Sequence, residues 1–474
     1  MNSIDSHDAR ALAQSLRRVY DAVARQVNEE NAASPLAAKV TGHLGRTIGE
    51  VVVVEEKYRL FEHAALQLAT DRYLAEHSPD AEWFGIVGSE RRFMSVTNMI
   101  TMAITMGSVL LGRPDYRAAA VGPDDTVDVI QLGLVCAHAP DGSPVILAIG
   151  TREDISEYAL LTVLAMNRET ATAVREEIER LKHVLDPLRG QVVKFGFGEH
   201  RRNELLTFVP RAELSPEEVV LPDGRLEALE EHVVGIGEQG DLLREAGQHL
   251  RRGLLLYGPP GTGKTHTVRY LLGRRKESTA ILMTAEGMAK IDFAVALARR
   301  LQPSIVVVED VDLIAEDRSH FQTSPLLFSL LDAMDGVGGD ADVTFLLTTN
   351  RVEALEKALV QRPGRIDLAV EIPPPDGPAR ERLVRLYARN RPIEADVAAV
   401  VAATEGVTAS YIKELLRRVV LTSLRRDEHA LTDDHFSAVL AQMAGDGESL
   451  TRALLGGAAP RPRPRPRLQP GDVS

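Results

Sequence analysis

Apolar positions recur at helical spacing in three stretches of the first 215 residues, Asp8–Val27, Tyr58–Glu76 and Ile155–Val184, and each stretch predicts an amphipathic helix. Val127–Cys136 and Val145–Gly150 are apolar runs flanking Pro140-Asp141-Gly142, which predicts two strands joined by a turn. From about Val219 the register changes. VVLPDGRLEALEEHV reads as a short strand, a turn and a helix, and apolar strands then alternate with amphipathic helices as far as Ile372. That alternation predicts a parallel sheet covered on both faces, because parallel strands are joined by crossovers. Pro373-Pro374-Pro375 stiffens a boundary, 376–443 is helical in pattern, and APRPRPRPRLQPGDVS at the end is low-complexity. The expected organisation is α/β throughout its folded part: a mixed α/β or α+β region over 1–215, a parallel α/β subdomain over 216–375, a helical subdomain over 376–443 and a disordered Pro/Arg-rich tail over 444–474.

One apolar stretch stands apart. Phe93–Gly112 carries no charge, has arginines on both sides and is long enough to span a bilayer. Asn98, several hydroxyl side chains and two glycines dilute its apolarity, so burial in protein is expected and membrane contact is not.

Composition agrees with a globular chain: of 474 residues, 44% are hydrophobic and 26% charged, enough of both to build and solvate a core. The net charge of −13 and the lack of basic–aromatic patches argue against a nucleic-acid partner. Cys136 is the only cysteine and lies in the apolar run Leu132-Gly133-Leu134-Val135-Cys136, which predicts a buried thiol in a reducing compartment. Met1-Asn2-Ser3-Ile4-Asp5-Ser6 lacks the basic-then-apolar pattern of a leader, so a cytoplasmic location is expected. The 13 histidines show no metal-site spacing.

The chemistry is concentrated after residue 250. Gly253-Leu254-Leu255-Leu256-Tyr257 reads as a buried strand, and Gly258-Pro259-Pro260-Gly261-Thr262-Gly263-Lys264-Thr265 follows it into a helix, with these loop residues and His266 expected to bind the nucleotide. This is G-x-x-x-x-G-K-[ST] in strand–loop–helix context. Its glycines let backbone N–H groups turn inward around phosphates at a helix N-terminus. Lys264 is then expected to reach the β- and γ-phosphates of ATP, and the Thr265 hydroxyl to ligate Mg²⁺. Val343–Thr349 is another apolar strand, and Asn350 at its end is placed to hold an attacking water. ALVQRPGRID offers Arg362 and Arg365, which can neutralise charge in phosphoryl transfer when a neighbouring subunit presents them.

Taken together, LLLYGPPGTGKT, LLTTNR and RPGRID make residues 216–443 resemble an AAA-family ATPase module. The resemblance implies a five-stranded parallel sheet with a helical lid, assembled as a homo-oligomeric ring, usually of six. It implies Asn350 as the sensor-one asparagine, with Arg362 and Arg365 as trans-acting fingers. Gln361 is inserted just before the finger turn relative to the usual pattern, and Ala409 or Ser410 stands where a sensor-two arginine is found elsewhere. VVLPDG, VVVEDVD and LLDAMDGV are closest in style to the branch of the mitochondrial translocase for the Rieske iron–sulfur protein.

The strand IVVVEDVD carries the usual magnesium and water carboxylates in reversed order. Neighbouring strand residues face opposite sides, so Glu309 is expected to serve the magnesium waters and Asp310 to polarise the attacking water, with reach shortened by about one C–C bond, ~1.5 Å. A misplacement on that scale costs about a hundredfold in rate unless the strand shifts to compensate. The expected function is therefore an ATP-hydrolysing ring that remodels or assembles a protein client. The alternative is a slow ATP-dependent assembly switch. A protease is disfavoured, since H-E-x-x-H is absent and about thirty residues follow the lid. Stepwise threading through an aromatic pore loop is also not expected, because after the strand Ala280–Thr284 only Met288 and Lys290 fall at the loop, while Phe293 falls on the next helix.

Overall fold

The computed structural model describes residues 35–46, 48–87, 94–105, 110–151, 158–196, 206–284, 286–312, 325–353, 355 and 365–444, together with 15 and 17–19. The chain divides into two compact units, 1–189 with 196–209, and 190–195 with 210–474.

The first unit is built on an antiparallel sheet of β1 (Val52–Arg59), β2 (Trp83–Val87), β3 (Leu110–Gly112), β4 (Asp115–Ala120), β5 (Thr126–His138), β6 (Pro144–Thr151) and β7 (Tyr158–Ala165). The order is β1-β7-β6-β5-β2-β3, with β4 also paired to β5. Helices His63–His77 and Arg168–Val184 cover one face, where Leu66, Tyr73, Val174 and Ile178 pack on Leu147, Ile149, Leu161 and Val163. Helices Pro35–Leu44 and Val96–Thr105 cover the other, packing on Leu134, Ile146 and Ala148. Both faces are buried, which is why β6 and β7 read as unbroken apolar runs rather than alternating ones. In β5 the register slips where Asp115 pairs with Leu132 but Tyr116 with Ile130. The extra residue, Gln131, is a bulge, and it sends Ile130 and Leu132 to opposite cores. A short strand, β9 (Leu206–Val209), also belongs to this unit.

Two expected helices are shorter than their patterns. Tyr58 and Arg59 finish β1, and the helix starts at His63. Tyr158–Ala165 is β7, and the helix that follows starts at Arg168, capped by Asn167, whose side chain accepts from the Thr170 N–H at 2.8 Å. A strand buried on both faces has no period of its own, so it merges with a helical pattern beside it. The helix expected over Asp8–Val27 lies almost wholly outside the described residues. The stretch Phe93–Gly112 contributes the ten-residue helix Val96–Thr105 and then β3. Among the described residues no helix is long and apolar enough to cross a membrane.

The second unit holds a parallel sheet of β8 (Val192–Phe195), β10 (Arg252–Tyr257), β11 (Thr279–Met283), β12 (Ser304–Val308), β13 (Val343–Thr349) and β14 (Leu368–Glu371), ordered β14-β10-β13-β12-β11-β8. The five expected strands are joined by a sixth, β8, which lies upstream of residue 215 and is too short to announce itself in the sequence. The strand expected in VVLPDG does not form. Pro216–Glu218 is a single 3₁₀ turn, and Arg225–Glu230 a short helix. At the opposite end of the sheet from the phosphate loop, buried Asp342 receives Arg252 at 2.6 Å and Arg275 at 2.7 Å. Helices Gly377–Ala388, Val397–Ala403, Ala409–Arg425 and Asp433–Ala444, the stretch expected to be a lid, pack around Leu383, Ile412, Leu415 and Phe436.

Candidate active site

The carboxyl ends of β10, β13 and β12 lie side by side, so three loops far apart in sequence meet at one edge of the sheet. In an open parallel sheet this is where ligands bind. The loop after β10 carries Gly258–Gly263 and enters the helix Lys264–Arg274. Gly261 and Gly263 hold φ of +79° and +113°, conformations that an L side chain resists. A Cβ on Gly263 would meet nothing within 4 Å, so the loop backbone is open at this point, directly before the helix N-terminus. A Cβ on Gly261 would sit 3.1 Å from the hydroxyls of Thr408 and Ser410. There the lid closes on the loop: the Ser410 N–H donates to the Gly261 carbonyl at 3.0 Å, at the start of the helix Ala409–Arg425.

Lys264 is buried, and its Nζ donates to the carbonyls of Gly258 at 2.8 Å and Pro259 at 2.9 Å. Burial pulls its pKa down, while the negative charges of Asp310 and Asp312 oppose that pull. The Thr262 hydroxyl also donates to the Pro259 carbonyl, at 2.9 Å, leaving Pro259 and Pro260 as the rigid outer rim of the loop. Thr265 and His266 are exposed, and the His266 ring meets the Glu218 carbonyl at 3.0 Å.

The reversed pair does not lie within the strand. β12 ends at Val308, so Glu309 and Asp310 are not bound to alternate faces. Glu309 is exposed. Asp310 turns into the left-handed region at φ +50°, and its carboxylate Oδ1 accepts from Asn350 Nδ2 at 3.0 Å. Its own N–H donates to the Thr348 hydroxyl at 3.0 Å. Buried Asp312 accepts from the Thr349 hydroxyl at 2.9 Å and the Asn350 N–H at 3.1 Å. Asn350 is thus held through its backbone and spends its side chain on Asp310. Thr348 is the residue whose part the sequence did not announce; a hydroxyl pair directly before the asparagine, Thr348-Thr349, was the available signal.

Of the two candidate fingers, Arg362 lies outside the described residues, as does the inserted Gln361. Arg365 is buried and forked onto Asp335 of its own chain, with Nε at 2.7 Å from Oδ1 and a second arm on Oδ2. After β11 the chain makes a 3₁₀ turn, Glu286–Lys290, in which Met288 is fully buried and Lys290 exposed. Phe293 lies on the helix Ile291–Arg300, its ring 5.6 Å from that of Phe195.

A glycine loop feeding a helix, a buried lysine, and an acid–amide pair at the neighbouring strand ends have the arrangement of a P-loop site. Residues 254–374 match the model of the ATPase family associated with various cellular activities (AAA). Over 246 residues the chain is 31% identical to ATP-dependent zinc metalloprotease FtsH 2 of Symbiobacterium thermophilum, covering 48% of this chain and 40% of that protein. It is 29% identical to FtsH 3 of Sphaerobacter thermophilus over 53% of this chain and 54% of that protein. It is 27% identical to the 26S proteasome regulatory subunit 8 homolog of Schizosaccharomyces pombe, over 44% and 56%. The chain therefore spans about half the length of these relatives, or less.

The residues present fit Mg-ATP. The open loop backbone at Gly263, at a helix N-terminus, suits an anion, Lys264 supplies a cation, and Asp310 and Asp312 act electrostatically on that lysine.

Proposed function

We propose that this chain is a ring-forming Mg-ATP hydrolase that remodels or assembles a protein client recruited by its N-terminal unit. The observation that carries the reading is the Asn350–Asp310 hydrogen bond at the mouth of the phosphate loop. It aims a carboxylate base and a polar amide at one place, which is what activating a water beside a γ-phosphate needs. Bound Mg²⁺ would supply charge neutralisation between the phosphates. In this reading the loop amides of 258–263 bind the phosphates, Lys264 leaves its resting carbonyls for them, and the hydroxyl of Thr265 and the carboxylate of Glu309 serve the metal. Asp310 accepts the proton of the attacking water, and Asn350 orients it. His266 borders the nucleotide, and the lid reports the state of the loop through Ser410. Arg365 is engaged by Asp335, which favours Arg362 as the charge presented to a neighbour and Arg365 as the brace of its loop.

Burial of Met288 and the packing of Phe293 support a machine that moves domains rather than one that grips a strand with an aromatic loop. The style of VVLPDG, VVVEDVD and LLDAMDGV supports kinship in mode with the translocase branch of the family. The slow assembly switch differs in rate, not in site. The test pairs Lys264→Ala, expected to lose ATP binding, with Asp310→Asn, expected to bind ATP and not turn it over. Normal turnover by Asp310→Asn, with Glu309→Gln inactive instead, would refute the assignment. Turnover per subunit should rise with protein concentration; a rate proportional to enzyme down to nanomolar levels would refute the ring.

A further inference from the structure

We propose that Thr348 is a positioning residue that makes the reversed Glu309-Asp310 order workable, by holding Asp310 in a left-handed turn that carries its shorter side chain to Asn350. The inference rests on the hydrolase reading and extends it to how the base is placed. β12 and β13 run parallel with Val308 opposite Leu347, so the residue after Leu347 is the first that can reach the chain beyond the end of β12. That residue is Thr348, 1% exposed, and its hydroxyl accepts the Asp310 N–H at 3.0 Å. With φ at +50°, Asp310 has left the extended path that would fix the side-chain direction by strand alternation.

Residue type matters here. Among non-glycine residues, aspartate and asparagine enter the left-handed region far more readily than glutamate does. An aspartate is therefore the acid suited to position 310 once the turn exists, and the turn re-aims a side chain that would fall short from an extended strand. Asp312 completes the frame from the other side, because its carboxylate holds the Thr349 hydroxyl and the Asn350 N–H. Thr348-Thr349-Asn350 and Asp310/Asp312 thus interlock through hydrogen bonds between two neighbouring strand ends. The reversed order and the Thr-Thr pair form one device.

The test compares Thr348→Val, which keeps the shape and removes the acceptor, with Thr348→Ser, which keeps the hydroxyl. Thr348→Val is expected to lower kcat about tenfold to a hundredfold, the range for a misplaced catalytic group, with the Kd of a fluorescent ATP analogue within about twofold of the parent. Thr348→Ser should restore kcat. Hydrogen exchange at the Asp310 amide reads the same contact without turnover: protection should fall in Thr348→Val and return in Thr348→Ser. Asp310→Glu should be impaired in the parent and lose less, or nothing further, in Thr348→Val, where the turn is already released. Unchanged Asp310 protection in Thr348→Val, or a fall in nucleotide affinity parallel to kcat, overturns the proposal. Loss of protection in a chain that hydrolyses ATP in none of its forms would instead refute the hydrolase reading and leave the Thr348 contact standing.

Discussion

The two sheets bury comparable apolar strands between helices, yet the residues proposed to carry the reaction all gather at one of them. In the antiparallel sheet successive strands run in opposite directions, so the ends of β5, β6 and β7 alternate between two edges. No edge collects the loops that follow every strand. In the parallel sheet β10, β12 and β13 all end on one edge, and the phosphate loop, Asp310 and Asn350 follow from those ends. Strand direction, more than strand composition, decides where polar groups converge. The first unit spends its buried polar groups on internal hydrogen bonds instead. His63 meets the Ile130 carbonyl at 2.8 Å, and the Ile130 N–H meets Gln67 at 2.9 Å.

The sharpest way to break this comparison is to remove charge from each sheet and measure turnover. Asp310→Asn is expected to lower ATP turnover by at least about a hundredfold with nucleotide binding kept, since the amide accepts no proton. Glu55→Gln, at an exposed position of β1 in the first unit, should leave turnover within about twofold. Equal losses from both would show that the catalytic edge is not confined to the parallel sheet.

A second break targets stability of the ATPase unit at the end of its sheet away from the chemistry. Asp342 stands between two buried guanidiniums, Arg252 and Arg275. Breaking a buried ion pair by removing one partner costs about 3–5 kcal/mol, so Asp342→Ala should destabilise this unit by that amount in urea titration. A cost below ~1 kcal/mol would mean the trio is solvated in practice, as exposed pairs are.

The fold and site were unequally legible in the sequence. The phosphate loop, Asn350 and the alternation of strands and helices were readable, because each depends on local spacing. β7 was hidden inside a helical pattern, since a strand covered on both faces has no period. β8 was hidden by length, with four residues and no turn signature of its own. The placement of Glu309 and Asp310 could not be read from strand alternation, because β12 stops one residue earlier, at Val308, and the left-handed turn at Asp310 depends on a hydroxyl from a strand nearly 40 residues away. Arg365 read as a residue for a neighbour and is bonded within its own chain. Contacts between distant strand ends are what the sequence withholds.

The third break uses pH and concerns the first unit. Burial, and next the charge of Arg117, push the pKa of His63 down from 6.5 to about 3, so the folded state holds the ring neutral. The unfolded chain binds that proton below pH ~6.5, and stability therefore falls as pH drops. The contribution is complete above about pH 6.5 and is lost progressively toward pH 3, at up to ~1.4 kcal/mol per pH unit. Denaturant titrations of the first unit at pH 7 and 5 should differ by about 2 kcal/mol from this group alone, and His63→Gln should flatten that slope. A slope unchanged by His63→Gln would assign the acid sensitivity to other groups. In the ATPase unit, by contrast, Glu414 is drawn down to about 2 by hydrogen bonds from Arg417 and then Arg418, so its contribution is kept until pH falls below the ordinary carboxylate range, near 4.5.

The smallest effect concerns how the two units start their long helices. Arg168–Val184 begins with Asn167 in extended conformation, its side chain accepting from the Thr170 N–H at 2.8 Å, with Glu169 in the first turn and Lys182 and His183 in the last. Ala409–Arg425 is the same length and has Thr408 at the matching position, but the Thr408 side chain makes no capping bond to the helix. That hydroxyl instead lies against the phosphate loop, 3.1 Å from where a Cβ on Gly261 would be. A working cap is worth ~1 kcal/mol, so Asn167→Ala should cost the first unit about that much in urea titration and leave ATP turnover unchanged. Thr408→Ala removes no helix cap and is expected instead to change nucleotide affinity measurably. If Thr408→Ala instead destabilises by ~1 kcal/mol with affinity intact, the two helix starts do the same work, and the lid is not read through its first turn.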